Sequence, residues 1–382
     1  MIKMKYKLGE IFEVGSGGTP SKSHPEYYGG SIPWIKTGDL KCKYLYEAED
    51  YITESGLSNS SAKMYETDTV LIAMYGATIG ATSILKIDAC TNQACAAFKK
   101  SEIVLPEYLY YFFKSQKERF VKDGVGGAQP NISAGYLKNV EMDVPELNRQ
   151  TEIADILDKV NRVIDQRKLE LEELDNLIKS RFVELFGDVR REEKYPGIPL
   201  RKLCSTISGG TPSTKFPEYY EGEIPWISTV SLGPNHIDGS TAKGYVTEEA
   251  IENSATKLIP AGNLLFGTRV GVGKSSLNDV DICTNQDIVA IVGIDETKNS
   301  KLFIKHVLDA YQPYFDSIKK GATILGITGE DLKDSLIPEV PIEVQKEYEK
   351  FVEQVDKLKF EVKKSLDEMQ QLMDSLMQKY FG

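Results

Sequence analysis

Histidine, tryptophan and cysteine are scarce in this 382-residue chain, and basic residues are outnumbered, 46 Lys and Arg against 57 Asp and Glu. The three histidines, His24, His236 and His306, stand in no metal-ligand spacing, which points away from a histidine-bound zinc. Five cysteines, Cys42, Cys90, Cys95, Cys204 and Cys283, are an odd set without a C-x-x-C pair, so neither a disulfide framework nor a thiolate zinc site is expected. They read as small apolar residues of a reducing compartment. No run of about 18 apolar residues is present, and the start, Met1-Ile2-Lys3-Met4-Lys5, carries no apolar leader. The expectation is a cytoplasmic chain that neither spans nor sits on a membrane.

The net charge of −11 argues at first sight against a polyanionic partner, because nucleic-acid affinity comes largely from neutralising phosphates. Its distribution softens that exclusion. Residues 1–145 hold 16 basic against 17 acidic side chains, 188–341 hold 16 against 21, 146–187 hold 7 against 10 and 342–382 hold 7 against 9. A local basic face is compatible with so thin a spread.

What the chain has is a long internal repeat. Gly17-Gly18-Thr19-Pro20-Ser21, Pro25-Glu26-Tyr27-Tyr28 and Ile32-Pro33-Trp34-Ile35 recur 192 positions later as Gly209-Gly210-Thr211-Pro212-Ser213, Pro217-Glu218-Tyr219-Tyr220 and Ile224-Pro225-Trp226-Ile227. Each half closes on Phe-Gly, at Phe186-Gly187 and Phe381-Gly382. Solenoid repeats run to roughly 50 residues, so each copy here must contain a whole domain.

Each copy ends in a helical pattern. Ile153, Leu157, Val160, Ile164, Leu171, Leu174, Ile178 and Leu185 alternate by four and three, with Arg167 and Arg181 in the gaps, which is a heptad seam. The second copy places Tyr348, Val352, Val355, Val362, Leu366, Met369, Met373, Leu376 and Tyr380 on the same frame, with Lys359 in its gap. A helix of about 40 residues is about 60 Å long, and an apolar stripe of that length needs a partner. The other copy is the economical one. A parallel pairing would make one compact domain bridge the whole helix length between its own ends, so an antiparallel coiled coil is expected. Two domains at opposite ends of such a rod, related by a pseudo-twofold axis, would act as a ruler.

The expected organisation is a domain over 1–145, a long helix over 146–187, a second domain over 188–341 and a second long helix over 342–382. Both domains read as α+β. Short β-rich runs such as Thr69-Val70-Leu71-Ile72-Ala73-Met74 and Asp287-Ile288-Val289-Ala290-Ile291-Val292 alternate with amphipathic helices such as 105–122.

Several motifs have competing readings. Gly267-Thr268-Arg269-Val270-Gly271-Val272-Gly273-Lys274-Ser275 ends like a phosphate-binding P-loop, but the position five before its last glycine is Thr268, and the matching Gly76-Ala77-Thr78-Ile79-Gly80-Ala81 has no lysine. A glycine-rich hairpin is preferred, and a nucleotide-using enzyme at Lys274 stands as the alternative. A scaffold that spaces two protein-binding domains is a further one. Thr91-Asn92-Gln93 recurs as Thr284-Asn285-Gln286, where amides could read adenine edges or fix a turn; repetition in both copies favours the turn. Trp34 and Trp226 are the only tryptophans and match, which favours a packing role. No catalytic triad, carboxylate pair or dinucleotide fingerprint is recognisable, so the chain reads as non-catalytic.

Taken in order and duplicated around two long helices, these motifs, with the Val144-Pro145 and Val340-Pro341 exits, resemble the specificity subunit of type I restriction-modification systems over essentially the whole length. The resemblance implies two target recognition domains reading the halves of a bipartite, asymmetric site in double-stranded DNA, with the coiled coil setting the spacer. It implies two methyltransferase subunits as partners and, in systems that restrict, translocase-nuclease subunits. S-adenosylmethionine, ATP and Mg would then belong to those partners, and none to this chain. Residues in segments that diverge between copies, and lysines and arginines for the phosphates, are the better candidates for DNA contact. In the first domain these are Lys22, Lys36, Thr37, Lys41, Lys43, Gln129 and Asn131; in the second, Lys215, Ser228, Thr229, Lys243, Arg269, Lys274 and Thr323.

Overall fold

The computed structural model describes residues 4–124, 131–321 and 324–382. The chain divides into two compact units, Met1–Leu169 with Lys363–Gly382, and Glu170–Val362. Both division points fall inside the long helices. Four helices have ten or more residues among those described: α1 (Pro106–Ser115), α2 (Leu147–Phe186), α3 (Lys301–Ala310) and α4 (Ile342–Phe381).

The first unit holds a five-stranded sheet in the order Val14–Ser16, Cys95–Phe98, Val70–Ala73, Thr82–Leu85, Tyr44–Leu45. A four-stranded sheet follows the order Asp50–Ile52, Tyr28–Ile35, Ala89–Thr91, Met64–Tyr65. The strand Met4–Lys7 pairs antiparallel with Glu141–Val144, so the start of the unit lies against the segment that leads into α2. The all-buried runs Val70–Ala73 and Cys95–Phe98 are apolar on both faces because α1 covers one face and the second sheet's residues lie on the other.

The second unit repeats this topology strand for strand. Its five-stranded sheet runs Ser205–Ser208, Ile288–Val292, Leu264–Gly267, Ser275–Asn278, His236–Ile237, and its four-stranded sheet Gly244–Val246, Ile224–Ile227, Ile282–Thr284, Leu258–Ile259. Register repeats too. Trp34 faces Cys90 across a parallel pair, and Trp226 faces Cys283. Burial pushes the thiols of Cys90 and Cys283 up to about 11, so both are apolar packing groups at neutral pH.

The expected single helix over 105–122 is broken at Gln116, into α1 and the short helix Lys117–Asp123. Pro106 starts α1, where a missing N–H is harmless. Tyr108, Leu109, Tyr111, Phe112 and Phe113 are buried under it.

One side chain fixes each long helix to its own unit. Gln150 is fully buried; its Nε2 donates to the carbonyls of Ile103 and Pro145, each at 2.7 Å, and its Oε1 accepts from Leu105 N–H at 2.8 Å. Gln345, at the matching position of α4, donates to Lys298 at 3.1 Å and Val340 at 2.8 Å and accepts from Ser300 N–H at 2.8 Å. All six bonds use main-chain atoms of the loop before the unit's helix and of the exit segment.

In the first unit, Ile153, Leu157, Val160 and Ile164 of α2 share a core with Met373 of α4, and Leu366, Met369 and Leu376 pack beside them. The Arg149 guanidinium lies 5.8 Å from the Tyr380 ring, and Arg167 Nε donates to Ser365 Oγ at 3.3 Å. Early α2 residues therefore meet late α4 residues, so these segments run antiparallel. The second unit shows the same sense by itself: Phe182 packs on Tyr348 with ring centroids 5.7 Å apart, and Lys359 Nζ reaches Asp175 Oδ1 at 2.6 Å.

The seam in the second unit departs from strict heptads. Ile178, Phe182 and Phe186, spaced by four, are buried beside Tyr348, Val352 and Val355, while Leu171, Leu174, Leu185 and Val362 are half-buried. A straight helix drifts about 20° per heptad from a 3.5-residue repeat, and Phe186 also packs edge-on against Phe303 of α3. The contact surface there is shared between helix and domain, which pulls the stripe to i, i+4.

Candidate nucleic-acid interface

The residues repeated between copies form a clasp made chiefly of mutual contacts. Trp34 Nε1 donates to the Gly18 carbonyl at 3.0 Å, and Trp226 Nε1 to Gly210 at 3.1 Å. Tyr28 and Tyr220 donate through their hydroxyls to the carbonyls of Pro20 and Pro212, at 2.5 and 2.6 Å. Thr19 and Thr211 hydroxyls bond the Oε1 atoms of Gln93 and Gln286, each at 2.5 Å. Glycine is required by close approach: a Cβ on Gly17 would lie 1.8 Å from the Thr91 carbonyl oxygen, and one on Gly209 2.1 Å from that of Asn285. Asn92 and Asn285 accept from the N–H two residues on, at Ala94 and Asp287. The repeated amides thus fix turns, and the repeated aromatics hold the clasp closed.

Beside each clasp the copies diverge. In the first unit, Lys36 N–H donates to Asp39 at 2.7 Å, and its ammonium pairs with Asp50, which raises the lysine's pKa. Lys41 pairs with Glu49 at 2.8 Å, Lys22 is exposed and Thr37 half-exposed. Exposed ion pairs of this kind contribute about 0–1 kcal/mol, so these cations can exchange a carboxylate for a phosphate. Asn131 is exposed and bridges by main chain to Tyr75, at the tip of the turn 75–81. Gln129 lies outside the described residues.

In the second unit, Thr229 lies against the loop 267–274, and Ser228 before it is half-exposed. A Cβ on Gly267 would sit 3.4 Å from the Thr229 methyl. Arg269 is exposed, 3.8 Å from Asp287, and Lys274, Lys215 and Lys243 are exposed with no ion pair among the described residues. Thr323 lies outside the described residues.

Two expected DNA contacts are corrected. Lys43 is not a surface cation: its side chain is 14 % exposed, its ammonium bonds both Asp158 oxygens of α2 at 2.5 and 2.7 Å, and the rings of Tyr44, Tyr110 and Tyr111 surround it. Thr229 is 3 % exposed and packs under the glycine loop, so it supports a surface rather than forming one.

The segment 267–274 is the turn between the strands Leu264–Gly267 and Ser275–Asn278. Gly273 N–H returns to the Gly267 carbonyl at 3.0 Å, as Gly80 N–H returns to Ala73. A P-loop opens a helix after its lysine; here a strand follows Lys274, so the phosphate cradle is absent.

Sequence reasoning missed four exposed apolar side chains on these loops, Val230, Val270, Ile324 and Leu325. Their signal was present in the divergence of Val270 from Gly76 within a common turn.

A duplicated α+β domain, each copy followed by a long helix and each carrying the same clasp beside dissimilar loops, defines a class of two-module recognition proteins. The chain belongs to the type I restriction modification DNA specificity domain family, whose model matches it twice, over residues 3–176 and 194–369. It is 28 % identical over 281 residues to the type I restriction enzyme MjaIX specificity subunit of Methanocaldococcus jannaschii, covering 68 % of this chain and 64 % of that one. It is 32 % identical over 158 residues to the EcoR124I/EcoR124II specificity subunit of Escherichia coli, covering 40 % and 39 %. The matches thus span less than two thirds of these relatives. The fold resembles the crystal structure of a type I restriction-modification S subunit from M. genitalium, with a TM-score of 0.57 at 16 % identity, over 100 % of this chain and 96 % of that one.

Proposed function

We propose that this chain is the non-catalytic, sequence-reading subunit of a type I restriction-modification complex. Each unit reads one half of a bipartite, asymmetric site in double-stranded DNA, and the paired α2 and α4 segments set the spacer. The observation that carries this reading is the doubled clasp: one bond pattern preserved in both copies, with the residues beside it changed. A homodimer of one reader would require a palindromic site; two different loop sets on one scaffold suit two unlike half-sites.

Two methyltransferase subunits dock on the chain and bring S-adenosylmethionine, and translocase subunits bring ATP and Mg where the complex also cleaves. Among the described residues no helix is long and apolar enough to cross a membrane, which accords with a cytoplasmic site of action. Lys22, Lys36, Lys41, Lys215, Lys243, Arg269 and Lys274 are the phosphate contacts of this reading. Removing one should lower affinity for all sequences and reduce the salt slope by about one.

The test is to map N6-methyladenine in DNA from cells holding this chain and its partner methyltransferase. A two-part motif with a fixed gap is expected, and replacing residues 1–145 by those of a relative should change one part only. A motif untouched by that exchange overturns the proposal. Matched deletion of one heptad from α2 and α4 should shorten the gap and leave both parts unaltered.

A further inference from the structure

The second unit carries exposed apolar side chains on three joined loops, where a solvated loop tip is expected to be polar. Val230 is 83 % exposed, Val270 51 %, Ile324 53 % and Leu325 57 %. Their three loops are bound together. Thr229 lies under Gly267 and Gly271, Ile327 N–H bonds the Thr268 carbonyl at 2.8 Å, and a Cβ on Gly326 would sit 3.0 Å from Arg269 Cγ. The main chain of Lys320 and Gly326 is doubly bonded, at 2.8 and 3.0 Å, which closes the loop bearing Ile324 and Leu325.

The same loops carry cations. Arg269, Lys274 and Lys320 are exposed on them, and the nearest paired carboxylate, Asp287, is largely buried at 13 % exposure. Apolar side chains on loops that also carry cations match a groove whose walls are phosphates and whose floor presents methyl groups. The major groove of DNA is such a surface, and the thymine C5-methyl is its apolar mark. The first unit builds the same turn differently. Tyr75 stands at the place of Arg269 and Asn131 at that of Gly326, so the tip there offers an aromatic ring and an amide.

We infer that the second unit recognises thymine methyl groups in the major groove through Val230, Val270, Ile324 and Leu325, whereas the first unit relies on polar contacts. This inference rests on the DNA-reading function proposed above and names the chemistry of one of its two surfaces.

The test uses the chain assembled with its methyltransferase partner and duplexes carrying its own methylated motif. Thymines are replaced by uracil, which lacks only the methyl, in one half of the motif and then in the other. Loss of binding in one half alone is expected, about fourfold for each methyl contacted. In the quadruple variant Val230→Ser, Val270→Ser, Ile324→Ser, Leu325→Ser, which removes every side-chain methyl of the tip, uracil should no longer weaken that half. All four side chains are more than half exposed, so the fold is retained. Equal sensitivity of the two halves, or persistence of the effect in the variant, overturns the inference while leaving the DNA-reading function intact. A wild-type assembly with no preference for its motif over scrambled duplex overturns both. Insertion of the apolar tip between base steps, which ignores methyls, gives no uracil effect and also overturns it.

Discussion

Lys43 and Asn235 occupy matching places, 192 positions apart, and each ties its unit to a long helix by different chemistry. In the first unit the tie is ionic. Lys43 bonds Asp158, whose Oδ1 also accepts from the Tyr111 hydroxyl at 2.5 Å. In the second unit an amide takes the place of the ammonium. Asn235 Nδ2 donates to Asp356 at 2.6 Å, so its Oδ1 faces His306 Nε2 at 3.2 Å, and His306 Nδ1 meets the Tyr348 hydroxyl at 2.5 Å. Because the amide oxygen accepts, Nε2 carries the imidazole proton and Nδ1 accepts from Tyr348. One joint is an ion pair and its twin a phenol, imidazole and amide relay that ends on a carboxylate, so the same geometry can survive a change of bonding. Their responses to mutation and pH should then diverge.

The widest gap is expected between Asp158→Asn and Asp356→Asn. The first leaves a largely buried ammonium without its counter-ion, which costs about 3–5 kcal/mol. The second weakens the hydrogen bond from Asn235 and a partly exposed contact with Lys359, and should cost about 1 kcal/mol. Urea denaturation of the two variants measures the difference, and equal losses would break the comparison.

The second contrast is pH. Burial among Tyr348, Asn235 and the positive charges of Lys305 and Lys359, with Asp309 opposing them, holds His306 down to about 4 from its usual 6.5. The unfolded chain therefore takes up this proton first as pH falls. The second unit's stability should be full above about pH 6.5 and decline towards pH 4, by on the order of 3 kcal/mol. His306→Gln should flatten this slope, which thermal melts between pH 7 and 4.5 can follow. A slope that persists in that variant assigns the effect to other groups.

Where the two units are built alike, they should fail alike. Gln150→Ala and Gln345→Ala each orphan buried main-chain groups and should cost about 2–3 kcal/mol apiece. Unequal losses in denaturation would show that the joints differ beyond the latch.

The smallest effect sharpens the second unit's joint. Tyr348→Phe removes the donor to His306 Nδ1 and should cost about 1 kcal/mol. It should also shift the His306 imidazole resonances in NMR, since the tautomer loses its partner.

The clasp and the long helices were legible because their residues recur in order, and repetition makes a pattern visible without any three-dimensional knowledge. The α+β class followed from β-rich runs such as 69–74, of which Val70–Ala73 form a strand, that alternate with helical ones. The latch was not legible. Lys43 and Asp158 are 115 positions apart, and nothing local distinguishes a lysine aimed at a buried carboxylate from one aimed at solvent. Thr229 was misread for the same reason, since its burial depends on a glycine turn some 40 residues later. Phe182 and Phe186 escaped the heptad frame because their partner is a domain surface as well as a helix. The apolar tip went unremarked because single valines and leucines in loops carry no meaning until three loops converge.

Gln150 and Gln345 grip only carbonyls and N–H groups. A hand that feels nothing but main chain is blind to which side chains hang from the segments it holds. Substitutions in the outward loops leave that grip unchanged, so new recognition surfaces can arise on this molecule without re-aiming the body that presents them.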